Sequence, residues 1–151
     1  MSGSLQRLEQ LGRVEKARFN ERQVTANLGR ACRDLDTARK VLDVDEEWAY
    51  TISYHAMLRA GRALMFSMGW RPKGREQHKT VVEFCTDVLG AEFKSLTDRF
   101  DRMRRKRNDF IYEPQRPIPR TEAEQSLGSA KMFVGQIKEK IAALMPQLKL
   151  L

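Results

Sequence analysis

Residues 102–107 read RMRRKR, five cationic side chains in six positions, followed at once by Asn108 and Asp109 and then by Tyr112. Guanidinium forks match phosphate oxygens two at a time, and a phenol can stack on a base or hydrogen-bond to it. The register sharpens the point. Phe93, Leu96, Phe100 and Met103 follow one face of a helix, and the next positions on that seam are Arg107 and Phe110. A charge laid on an apolar seam must be paired or must look into a cleft, because burying it alone costs on the order of several kcal/mol. Arg104, Asn108 and Tyr112 share a second line at helical spacing, with Arg105 close beside it. These residue types suit a phosphate-and-base surface; an arginine-rich helix can equally pair with an acidic protein.

A second helix carries a matching interruption. Trp48, Ile52, His55, Arg59, Arg62 and Phe66 lie on one line of an otherwise apolar segment. His55 reads either as a core histidine with one satisfied hydrogen bond or as part of a cleft that Arg59 and Arg62 line together with Arg107. His78, between Arg75 and Lys79 at the start of a short helix, reads as a solvent-facing residue. Two histidines and two cysteines, none at ligand spacing, make no zinc site. The sequence contains no GxxxxGK[ST] loop, no GxGxxG after a strand and no Ser/His/Asp arrangement, so no metal or cofactor is expected.

The elements that must position these groups are helices. Val24, Leu28, Ala31, Leu35, Ala38 and Leu42 form one apolar stripe over about residues 21–42, with Arg30, Arg33, Arg39 and Lys40 off it. Asp45 suits an N-cap and Gly69 a left-handed stop, and the helix between them is apolar on several faces, as a central helix of a bundle must be. Its main stripe is Tyr50, Tyr54, Met57, Gly61, Leu64 and Met68. A shorter helix over about 76–89 ends at Gly90, and a long one over about 91–112 holds the basic run. Three prolines then break the chain at 114–119, and Thr121 with Glu124 forms a capping box for a last helix. No strand is expected. The fold class is all-α, an antiparallel up-and-down bundle of four long helices and one shorter one. Residues 1–19 read as an N-terminal segment with an extra helical turn at Leu5 to Leu11, 20–147 as the bundle, and 148–151 as a tail.

With 28 cationic against 20 anionic residues, a formal charge of +8, the chain favours polyanionic partners. Its 151 residues fit one domain. Cys32 and Cys85 read as reduced thiols, and neither a secretory leader nor a membrane span is visible, so a soluble cytoplasmic protein is expected.

The segments AYTISYHAMLRAGRALMFSMGWRP and RRKRNDFIYEP, in this order and separated by a short helix, resemble the HEPN family, the "higher eukaryotes and prokaryotes nucleotide-binding" domains. The resemblance covers roughly residues 20 to 145. It implies a homodimer whose signature helices face each other across a cleft, and RNA or a nucleotide as ligand. Many members are metal-independent ribonucleases, often toxins encoded with a small nucleotidyltransferase partner. The family motif is an arginine, a polar neighbour, and a histidine four to six residues after the arginine. Here Arg107 matches the arginine, Asn108 the polar neighbour, and Tyr112 stands where the histidine is expected. These three are the expected catalytic residues, Tyr112 as proton-transfer group or positioning ligand, and around them Arg104, Arg105, Arg59, Arg62 and His55 are the expected RNA or phosphate contacts. A phenol of pKa about 10 is ionised in about one molecule in a thousand at pH 7, whereas a histidine is poised there. The departure leaves three classes open: a ribonuclease, a non-catalytic nucleic-acid or nucleotide binder, and a protein-interaction module.

Overall fold

The computed structural model describes residues 3–112 and 117–148, and of residues 110–112 the backbone alone. In chain order the elements are α1 (Gly3–Gln10), β1 (Val14–Lys16), α2 (Glu21–Val41), α3 (Glu46–Ser67), β2 (Trp70–Pro72), α4 (Gln77–Leu89), α5 (Lys94–Tyr112) and α6 (Arg120–Leu144). The class is all-α, as expected, with four long helices and the shorter α4 among the described residues, and a short turn of 3-10 helix at Ala91–Phe93 leading into α5. The bundle is built around α3, which packs against α2, α4, α5 and α6. Tyr50, Tyr54, Met57, Gly61 and Leu64 are all buried, as the stripe requires.

Local chemistry sets the ends. Asn20 accepts from the backbone N–H groups of Arg22 and Gln23 at the start of α2, and Asp45 accepts from that of Trp48 at 3.0 Å at the start of α3. Gly90 closes α4 with φ +77°, a backbone setting that side chains resist. The expected capping box at Thr121 does not form. The last helix begins two residues earlier, with Pro119 in the N-cap position, and Glu124 instead accepts from Arg120 Nε at 2.8 Å. Of the proline-rich connection, residues 114–116 fall outside the described residues.

The structure also corrects the expectation of no strand. β1 and β2 pair antiparallel, Val14 opposite Pro72 and Lys16 opposite Trp70. Three residues per strand are too few for alternation to register, yet Val14 and Trp70 are buried and fasten the pair to the bundle. Helix α1 lies against α4 through the buried Leu5 and Leu8, while Leu11 is exposed. Arg13 completes the attachment, donating from Nε to Thr80 Oγ1 at 3.1 Å and from Nη1 to Glu83 at 3.0 Å. Both cysteines are free, Cys85 buried and Cys32 half-buried. Among the described residues, no helix is long and apolar enough to cross a membrane.

Candidate functional site

On α3 the polar line predicted from sequence is the side of the helix that reaches solvent. Trp48 is 62% exposed, and Ile52, His55, Arg59, Arg62 and Phe66 are half-buried, while the rest of the helix is mostly enclosed. Helix α5 packs beside it. There Leu96, Phe100 and Met103 continue the core, and Arg107 follows them half-buried, as its register requires. Its guanidinium carbon lies 5.9 Å from the centre of the Tyr54 ring, over the electron-rich face that attracts cations.

Tyr54 is the hub. Its ring is fully buried, with ring centres of His55, His78 and Phe100 each 5.8 Å away. A buried phenol must satisfy its hydroxyl, and Tyr54 does so with His78 Nδ1 at 2.9 Å. Burial pushes the Tyr54 pKa well above its ordinary value, although Arg107, Arg104 and Arg62 pull the other way. The phenol therefore stays protonated, and which of the two groups donates is set by the tautomer of the His78 ring. Burial, aided by Arg62, Arg107, His55 and Arg104, lowers the His78 pKa to about 4. The pKa of His55 is lowered too, by burial and then by Arg107 and Arg59.

Close approach makes this grouping possible. A Cβ at Gly61 would stand 2.5 Å from Val81 Cγ1 and 3.0 Å from Cys85 Sγ, so only glycine lets α4 lie this near α3. The first turn of α4 then brings His78 to Tyr54. Sequence reasoning placed His78 in solvent and Tyr54 simply in the core. The available signal was the phenol itself, which could not be buried without a polar partner from another element.

The cationic residues divide by what neutralises them. Arg59 Nε lies 2.9 Å from Asp34 Oδ2, and Arg30 shares that carboxylate. Arg104 donates twice to Asp101 Oδ1, at 2.9 and 3.1 Å, and Arg105 pairs with the other oxygen while remaining 66% exposed. Lys106 is held by Glu122 of α6. Among the described residues no carboxylate lies within ion-pair reach of Arg62 or Arg107. Burial and the neighbouring Arg59 lower the pKa of Arg62. Thus His55, Arg62, Arg104 and Arg107 come together around Tyr54 and His78, and Arg59 adjoins His55 and Arg62. Arg105 and Asn108 are exposed residues of the same helix with no described contact to that group, and the Tyr112 side chain lies outside the described residues.

An open groove of about 690 Å³ between α1, α4 and α5 adjoins this seam at Arg104 and Asp101. Its walls carry Arg7, Lys79 and Lys94 against Glu83 and Asp98, a mixed lining that favours no single ligand charge. No group of three or more His, Cys, Asp or Glu among the described residues is arranged to hold a metal ion.

A family model described as "HEPN domain" matches residues 24–140, most of the chain including the whole seam. Among solved structures, that of TT1696 from Thermus thermophilus is similar in fold, with a TM-score of 0.64 at 18% identity, covering 80% of this chain and 99% of that one. No curated protein matches the chain.

Proposed function

Since the chain belongs to the HEPN domain family, whose members are nucleotide-binding or ribonuclease-like in general, we propose that it binds RNA along the α3–α5 seam and cleaves it without a metal ion. The observation that carries this reading is the pair Arg62 and Arg107, two half-buried guanidinium groups left without carboxylate partners among the described residues. Two such groups, both close enough to act on Tyr54 and His78, suit a phosphate. Arg104, Arg59 and His55 extend it, and the exposed Arg105 supplies an outer contact. In the reaction the RNA 2'-hydroxyl attacks the adjacent phosphate, Arg107 stabilises the charge that develops on the phosphoryl oxygens, and Asn108 orients them. Tyr112 is assigned to contact the substrate by stacking or hydrogen bonding.

Family membership further supports a homodimer in which two seams meet, and a toxin–antitoxin setting with a small nucleotidyltransferase as partner protein. Co-purification with such a partner, encoded next door, is the direct check of that assignment. The second reading, a binder that does not cut, is favoured by Tyr112 standing at the motif's histidine position.

The deciding experiment uses assorted single-stranded RNAs in EDTA. Wild-type protein is expected to cleave, and Arg107→Ala to lose on the order of a hundredfold or more in rate while keeping its helical spectrum. RNA that is bound but left intact, with and without added metal, would sink the catalytic reading and leave the binder.

A further inference from the structure

We propose that His78, gripped at Nδ1 by Tyr54, is the proton donor of this site: phosphate held by Arg62 and Arg107 draws a proton onto the ring, and Nε2–H delivers it to the leaving 5'-oxygen. The inference rests on the RNA-cleaving reading above and supplies the imidazole that Tyr112 does not.

Tyr54 occupies Nδ1 at 2.9 Å, so Nε2 is the ring nitrogen left for a ligand, and the residue is half-buried rather than enclosed. The charged and titratable groups around it are known on each element. From α3 come Tyr54, His55 and Arg62, with Arg59 committed to Asp34 of α2. From α5 come Arg107, and Arg104 committed to Asp101. Lys79 is its neighbour on α4. Burial first, and then a net positive field, keep the free ring neutral. A bound phosphate cancels the field of the uncommitted arginines, and an opposite charge nearby favours the protonated ring. When the ring carries both protons, Nδ1–H donates to the Tyr54 oxygen, so the same contact holds the protonated ring.

The step balances. The 2'-oxygen forms a bond to phosphorus and releases its proton to water. The bond from phosphorus to the 5'-oxygen breaks, its electron pair stays on that oxygen, and the oxygen takes the Nε2 proton. The products are a 2',3'-cyclic phosphate, a 5'-hydroxyl and a neutral His78.

Nuclear magnetic resonance of the imidazole protons tests the first half. A DNA oligonucleotide, which lacks the attacking hydroxyl, serves as the probe, and a His55→Asn variant assigns the two rings. In free protein His78 should titrate near pH 4, and with DNA bound its midpoint should rise by about 1 unit or more, as the phosphate offsets the arginines' part of the shift. The second half compares two RNA substrates. His78→Gln should lose on the order of a hundredfold or more on ordinary RNA. It should recover on RNA with sulfur at the bridging 5' position, because a thiolate leaves without a proton. Recovery also shows that the variant is folded. Failure of both the DNA and single-stranded RNA to bind overturns the RNA reading and this inference together. Bound DNA with an unmoved His78 midpoint, equal losses on both substrates, or a wild-type protein that binds without cutting overturns the proton-donor role and leaves the binding site standing.

Discussion

Protonating His78 in the free protein places another positive charge beside Arg62 and Arg107 on a half-buried ring, so the folded state resists it. The unfolded chain does not, and its histidines take up a proton at an ordinary pKa of about 6.5. With the folded pKa lowered to about 4, the unfolded state binds more protons throughout the interval between the two. Stability is therefore complete above about pH 6.5 and falls as pH drops toward 4. His55 acts in the same direction. Because the ring is partly open to solvent, screening reduces the His78 share to on the order of 1–2 kcal/mol. Urea unfolding at pH 7 and at pH 4.5 checks this: the wild type should lose about that much more than His78→Gln across the interval. Parallel losses in the two proteins would mean that His78 titrates as an exposed histidine does.

Among the elements, the crossing of α3 and α4 is the contact on which the site depends. Gly61→Ala would drive a methyl group into Val81 and Cys85, and overpacking of this kind costs about 1–3 kcal/mol. Denaturant midpoints measure the loss, and the histidine resonances should show a disturbed His78, since α4 must shift away from Tyr54. An unchanged midpoint would mean that α4 moves without cost. The helices themselves were legible in the sequence because each repeats near 3.6 and carries its own punctuation, Asp45 before α3 and Gly90 after α4. The β1–β2 pair was not, for three residues have no period and the pairing joins segments on either side of two helices. The site was legible in part. The stripe of His55, Arg59 and Arg62 and the seam position of Arg107 follow from helical geometry alone. The hydrogen bond from Tyr54 to His78 spans 24 residues between different helices and rests on the close approach that Gly61 allows, which no local pattern encodes.

For the molecule as a whole, a charge of +8 gives non-specific attraction to any polyanion, so binding alone does not locate a site. A homodimer places two seams within reach of one RNA strand, and light scattering at micromolar concentration should return twice the mass of 17.5 kDa. A strict monomer would restrict each RNA strand to a single seam. The central claim is that the guanidinium pair across α3 and α5 holds phosphate. The most direct measurement is the affinity for a single-stranded RNA oligonucleotide as a function of salt, for wild type and for the double variant Arg62→Gln, Arg107→Gln. Each phosphate contact on a single strand contributes about −0.7 to the slope of log affinity against log salt. The double variant should bind more weakly at every salt concentration, with a slope shallower by about 1.4. An affinity and slope equal to those of the wild type would contradict the claim and move the RNA to the other basic faces of the molecule.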